Sequence, residues 1–401
     1  MLDGSDDRHR LPLAWACALA MLLYAFYLGA IGVLLPSLGA EFSLGTEVQG
    51  RLFPANFSGF VIGVLLCGGL SDHHGRKAVL MGGTALYAAG LVLFGCAPGF
   101  GWILPAAAMV GAGSGAMEVV ASAMAGDLYP SRRALLLSAI QIAFGAGAVV
   151  GPVAARALLE AGVGWRPLFL GIAVANVALV ALVAPVRVPR PAGHEGVSMA
   201  SLRRIANDPA FRRLSAALFL YVGGEVACFS WIPTFLKDKI AGGSGYAGLA
   251  SALFWIGMTV GRFATSALVH RFRPDRLAAV LACAGAAAAA ALPWTRSGIG
   301  VAVVGGLCGL CFSGVFGLVL AEAADRFPGS AGSVLGGVVA AGGAGGAAIP
   351  WAVGAISEGS LGWIPALLVI PFCLAACSAL LARLPPRVAT APPPPAEPAT
   401  S

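Results

Sequence analysis

Apolar runs of about 20 residues, separated by short charged or Pro/Gly-rich breaks, recur along the whole 401-residue chain. They cover residues 13–38, 52–70, 78–96, 102–125, 135–157, 167–185, 214–236, 249–269, 277–294, 299–321, 331–355 and 363–382. At about 1.5 Å of rise per residue, such a run crosses roughly 30 Å of hydrocarbon. Lipid offers no hydrogen-bond partner to an open backbone, so an isolated run of this kind spans only as a helix. The pattern predicts an all-α membrane protein with twelve transmembrane helices, called here spans one to twelve.

The order of the breaks is itself repeated. One constant offset carries Gly63 onto Gly261, Leu70 onto Leu268, Asp127 onto Asp325 and Pro130 onto Pro328. It also carries Gly145, Gly147 and Pro152 onto Gly343, Gly345 and Pro350, and Gly164-Trp165 onto Gly362-Trp363. A single register held across four helix pairs implies two pseudo-symmetric six-helix bundles. Because each half has an even number of spans, both enter from the same side and relate by an axis along the membrane normal. The predicted organisation is a cytoplasmic tail over 1–12, a first bundle over 13–185, a basic Pro-containing linker over 186–213, a second bundle over 214–383, and a Pro-rich disordered tail over 384–401.

Composition agrees with lipid as the solvent: 58% of residues are hydrophobic, 11% are charged and the mean hydropathy is +0.86, where soluble domains carry about 25% charge. The net charge of +7 needs no acidic or nucleic-acid partner. Most of the Lys and Arg fall in the segments on the side of the termini, among them Arg76, Lys77, Arg132, Arg133, Arg271, Arg273 and Arg276. The positive-inside rule then puts both termini in the cytoplasm of a multi-pass protein of the cell inner membrane. Residues Met1 to Arg10 mix three Asp with two Arg ahead of a long first span, which does not match a cleaved leader. The nine cysteines lie in apolar runs as small packing residues, and the five histidines lie in tails and loops. Neither set offers metal-ligand spacing, and no nucleotide loop or nucleophile motif is present, so the reading is no enzyme, no cofactor and no metal.

Charge inside the spans is therefore the main candidate chemistry. Glu118 in span four and Glu225 in span seven lie well within the apolar layer, and Glu322 lies at the inner edge of span ten. A charge at the bilayer centre costs about 2.5–3.5 kcal/mol even on insertion scales, so such a group faces a cavity, has a partner or is neutral. Desolvation favours the protonated form of a carboxyl group, which suits an acid that takes up and gives back a proton. Arg262 in span eight is too deep for easy snorkelling and needs an internal partner, for which Glu118 and Glu225 are at suitable depth. Tyr24, Tyr27, Asn56, Ser122, Gln141, Tyr221, Trp231 and Trp255 are the polar and aromatic candidates for solute contact.

Between spans two and three stands Gly69-Leu70-Ser71-Asp72-His73-His74-Gly75-Arg76-Lys77. It resembles the G-x-L-[SA]-D-x-x-G-R-[RK] signature of the major facilitator superfamily, and it occupies the same loop. The resemblance implies a transporter in which Gly69, Asp72, Gly75, Arg76 and Lys77 form a cytoplasmic seam that helps set the equilibrium between inward and outward states. The second half has a weakened copy, with His270 in place of Asp72.

Within that superfamily, Leu220-Tyr221-Val222-Gly223-Gly224-Glu225, Gly113-Ser114-Gly115-Ala116-Met117-Glu118 and Asp127-Leu128-Tyr129-Pro130 resemble the fucose and hexose:proton symporter branch. That resemblance implies a cavity lined by spans one, four, seven and ten, with Glu118 as its proton-linked acid. The acid that such proteins carry on span one has no counterpart in Gly29 to Pro36. In span five, Gly145-Ala146-Gly147-Ala148-Val149-Val150-Gly151-Pro152 partly resembles the glycine-proline motif of drug:proton antiporters, and close helix packing accounts for the same glycines. The expected function is a monomeric carrier that moves a small, sugar-like organic solute together with protons across the lipid bilayer by symport. Proton-coupled drug or metabolite efflux and a non-transporting receptor of the same fold are the alternatives.

Overall fold

A computed structural model describes residues 7–128, 133–186, 205–269, 271–327 and 331–385. Among them the regular structure is helical, and twelve helical stretches are long and apolar enough to cross a membrane. In order they are Leu11–Phe42, Thr46–Cys67, Arg76–Gly95, Phe100–Met124, Ala139–Glu160, Arg166–Val183, Pro209–Lys239, Gly243–Leu268, Pro274–Trp294, Gly298–Arg326, Ser333–Glu358 and Trp363–Ala382. Each overlaps one predicted span. Bulky apolar side chains point outward, with Trp15 69%, Leu182 70% and Phe372 73% exposed. A soluble monomer does not present apolar surface on this scale, whereas a lipid-facing bundle requires it.

The ends differ from the sequence reading in a consistent direction. Helix one begins at Asp7, inside the predicted tail, and helix seven begins at Pro209, inside the predicted linker. Hydropathy cannot register the latter start because Arg212 and Arg213 lie in its first turns; the local signal is Asp208. Its carboxylate accepts from the N–H groups of Ala210, at 2.7 Å, and Phe211, at 3.3 Å, with Pro209 in the first helical position. The rest of the linker over 187–204 and the tail beyond Pro385 lie outside the described residues.

Helix contacts inside each half follow the sequence repeat. Gly59 of span two faces the Ala108 carbonyl of span four, and Gly257 of span eight faces the Gly306 carbonyl of span ten. The reciprocal pairs are Gly111 on Asn56 and Gly309 on Phe254, while Gly147 on Leu22 in the span five and span one pair matches Gly345 on Phe219 in spans eleven and seven. At each of these positions an added Cβ would collide with backbone. Without a hydrophobic drive between helices in lipid, close backbone approach over small residues supplies the packing. Two of the span-five glycines, Gly147 and Gly151, are thus accounted for by their contact with span one, whereas Gly145 faces the Thr259 hydroxyl of span eight in the other half. The Trp pair also repeats: Trp165 Nε1 donates to Glu41 Oε2 at 2.6 Å, and Trp363 Nε1 donates to Asp238 Oδ2 at 3.2 Å.

The two halves close on each other at the face opposite the termini. Thr46 Oγ1 donates to the Gly354 carbonyl at 3.0 Å and lies 2.9 Å from the Ser357 hydroxyl. The Glu47 N–H donates to Glu358 Oε2 at 2.7 Å, and Trp351 Nε1 donates to Glu47 Oε1 at 3.0 Å. Deeper in the same seam, Gly32 of span one packs against Phe229 and Ser230 of span seven.

Candidate functional site

Spans one and seven of opposite halves touch, as do spans five and eight, and Arg262 hydrogen-bonds to Gln141 at the latter crossing. Arg262 projects from span eight across the seam. Its Nη1 donates to Gln141 Oε1 of span five at 3.1 Å, and its Cζ stands 5.5 Å from the centroid of the Phe144 ring. Gln141 and Phe144 are three residues apart on one helix, so they present one face to the guanidinium. A ring face and one hydrogen bond to a neutral amide thus hold the cation in place without a direct ion pair.

Glu118 and Glu225 approach the same place from spans four and seven. Both are half-buried, and both interact electrostatically with Arg262. Among the described residues neither carboxylate makes a direct ion pair with it. Tyr24 of span one is in electrostatic range of both acids and beside Ser114, while Tyr221 lies next to Glu225 one helical turn earlier. The structure therefore gathers Tyr24, Glu118, Gln141, Tyr221, Glu225 and Arg262 into one cluster contributed by both halves.

An aromatic wall adjoins the cluster. Phe144 contacts Tyr24 with centroids 5.7 Å apart and Trp255 at 6.1 Å, and Trp255 contacts Phe229 at 5.1 Å. Trp255 is buried, and its Nε1 has no acceptor among the described residues. Phe144 and Phe229 were not singled out from sequence; the available signal was the spacing of Phe144 from Gln141, because Phe is otherwise unremarkable in a span.

Of the predicted contact residues, Tyr27, Asn56 and Trp231 are placed away from the cluster, while Tyr221 and Ser122 lie in or beside it. Tyr27 packs on Tyr87, Phe94 and Phe169 inside the first half. Asn56 donates to the Ala107 carbonyl at 3.1 Å and to the Tyr27 hydroxyl at 3.4 Å. Tyr27 and Asn56 border a pocket of about 10 Å³ against Phe229, the size of about one water-sized sphere. Tyr221 donates its hydroxyl to the Phe312 carbonyl at 2.8 Å. Trp231 is fully buried towards the closed face, where it makes edge-on ring contacts with Phe53 and Trp363 and donates to the Pro350 carbonyl at 2.8 Å. Ser122 is half-buried on span four, one turn from Glu118. Glu322 is fully buried at the termini end of span ten, paired at 2.7 Å with Arg326, which also donates to the Pro385 carbonyl. It belongs to a structural pair away from the central cluster.

At the predicted seam, Gly75 has φ +85 and ends the second span's helix, a conformation that glycine adopts without strain. Arg76 Nη1 donates to the Ala123 carbonyl of span four at 2.6 Å, and Lys77 Nζ donates to the Ala184 carbonyl after span six at 2.7 Å. These two cations staple the termini ends of spans three, four and six. The side chain of Asp72 and the surroundings of Gly69 lie outside the described residues, as does His270. All nine cysteines are free, and Cys308 lies beside Cys228 of span seven.

The family model described as Major Facilitator Superfamily matches residues 17–350. The L-fucose-proton symporter of Escherichia coli is 25% identical over 315 residues, which cover 70% of this chain and 72% of that protein. The 3-(3-hydroxy-phenyl)propionate transporter of Escherichia coli is 27% identical over 327 residues, 78% of each chain. Other curated relatives are matched over less than two thirds of their length: 64% for one from Haemophilus influenzae and 23% for an uncharacterised MFS-type transporter from Mycobacterium tuberculosis. Among solved structures, a D-xylose-proton symporter superposes with a TM-score of 0.79 at 16% identity, over 94% of this chain and 98% of that one.

Proposed function

We propose that this chain, which belongs to the major facilitator superfamily, is a secondary active carrier that moves a small organic solute by alternating access and couples it to protons through Glu118 and Glu225. The observation that carries the reading is that two carboxyl groups, from spans four and seven, lie within electrostatic range of the one guanidinium of span eight, which itself bonds Gln141 of span five across the seam between the halves. A rocking motion changes which side reaches that seam, so a proton held there on one side is released on the other. Proton symport is supported by the resemblance to sugar-proton symporters. The sugar-like solute expected from sequence rests on those relatives, whereas the relative named for an aromatic acid supports a less hydroxylated solute. Of the span-five glycines, which suggested efflux, Gly147 and Gly151 pack against span one and Gly145 faces Thr259 of span eight, and proton-coupled efflux stays the alternative reading. The charge distribution supports a protein of the cell inner membrane with cytoplasmic termini and an external closed face.

The test is proton movement driven by solute. Full-length protein is reconstituted with a pH dye inside the vesicles, and hexoses, organic acids, nucleosides and amino acids are added outside in turn. A symporter acidifies the lumen on addition of one class, and Glu118→Gln removes that signal. Solute binding with no proton movement for any class would contradict the reading and match a receptor.

A further inference from the structure

We infer that the solute is an organic anion whose carboxylate is held by the Arg262 guanidinium and whose apolar body lies on the wall formed by Phe144, Trp255 and Phe229. The inference rests on the carrier reading and names the substrate class of that same site. Three observations carry it. Arg262 gives one hydrogen bond to a neutral amide and rests on a ring; Glu118 and Glu225 act on it electrostatically but form no direct ion pair with it among the described residues, so its other donors remain available to an anion that enters while those acids are protonated. Trp255, which shares the Phe144 ring with Arg262, buries an indole N–H without an acceptor. A buried unpaired donor is costly, and a ligand acceptor removes that cost.

The third observation is the character of the wall. Phe144, Phe229 and Trp255 present rings rather than hydroxyls or amides beside the cluster. A free hexose needs many hydrogen-bonding partners around its ring, because each of its hydroxyls loses water on entry. A carboxylate with an aromatic or short aliphatic body needs one fork of donors and an apolar surface. Charge-assisted pairing of guanidinium with carboxylate is the strong, oriented contact that such a site supplies.

The experiment uses purified full-length protein and matched probes: benzoate against benzamide, hexanoate against hexanamide, and glucose as a neutral polyol, each in equal ionic strength. Thermal unfolding reads binding, since ligands of the folded state raise its stability. The expected result is stabilisation by at least one acid, with its amide at least tenfold weaker. Arg262→Gln loses tenfold or more in affinity for that acid, Arg262→Lys loses less because the charge remains, and Trp255→Phe weakens binding severalfold. Both Arg262 variants are compared with the parent for ligand-free unfolding temperature, so misfolding is separated from lost binding. Equal stabilisation by acid and amide, unchanged affinity in Arg262→Gln, or stabilisation by none of the acids overturns the inference. Acid binding without acid-driven proton flux leaves the carboxylate site standing and sinks the carrier reading. Proton flux driven by glucose, with no acid binding, does the reverse.

Discussion

The closed face offers a perturbation whose size follows from its geometry. Glu358, at the end of span eleven, accepts the backbone N–H of Glu47 at 2.7 Å, in the first turn of the Thr46–Gly50 helix of the other half. It therefore caps a helix N-terminus to which it is not covalently near. Gly45 leaves the room: a Cβ there would collide with the Glu358 carboxylate. Loss of a capping acceptor costs about 1 kcal/mol, or roughly a fivefold change in an equilibrium. Because the cap exists only while this face is closed, Glu358→Ala should raise the population open at this face about fivefold. Glu358→Gln, which keeps an acceptor oxygen, should do less, and Gly45→Ala should act in the same direction as Glu358→Ala. The assay places a cysteine at Ser230, buried beneath the seam against Gly32, in a cysteine-depleted background. An impermeant maleimide is applied from the face opposite the termini. A labelling rate in Glu358→Ala within twofold of the parent would refute the argument that this carboxylate latches the halves.

Three further outcomes are expected. Single cysteines at Ser43 and Ser244 should react with impermeant reagent from outside intact cells; reaction only after permeabilisation would reverse the orientation. Gly147→Val should lower stability by about 1–3 kcal/mol or more, because the new side chain meets the Leu22 carbonyl of span one rather than a movable side chain; an unchanged unfolding temperature would show that spans one and five separate easily. Asp72→Asn should slow transport several-fold with solute affinity nearly unchanged, and an equal loss of both would argue against a role in setting the conformational equilibrium.

The twelve spans were legible because lipid imposes one length and one backbone solution on every run. The repeat was legible because close helix approach demands glycine at fixed places: the offset that aligns Gly147 with Gly345 in the sequence also aligns their contacts with spans one and seven. Glu118, Glu225 and Arg262 stood out because charge is rare in lipid, and the structure brings the three into electrostatic range. What the sequence hid were partnerships across the chain. Glu358 gives no sign of capping Glu47 from 311 residues away, and an acid at the C-terminal end of its own helix runs against the helix dipole. Nor could composition separate Trp231, sealed into the closed face, from Trp255 beside the charged cluster; both are aromatic residues in apolar spans.

Proton coupling through the seam is the central claim, and Glu118→Gln tests it most directly. Glutamine keeps the size and much of the hydrogen-bonding capacity of a protonated glutamate but cannot release the proton. With the solute that drives proton uptake in the parent, reconstituted vesicles are assayed for accumulation under an inward proton gradient and for exchange when preloaded with solute. The account predicts that Glu118→Gln abolishes uphill accumulation, retains exchange at a rate comparable to the parent, and flattens the dependence of exchange on pH. Uphill, pH-driven accumulation that persists in Glu118→Gln would contradict it.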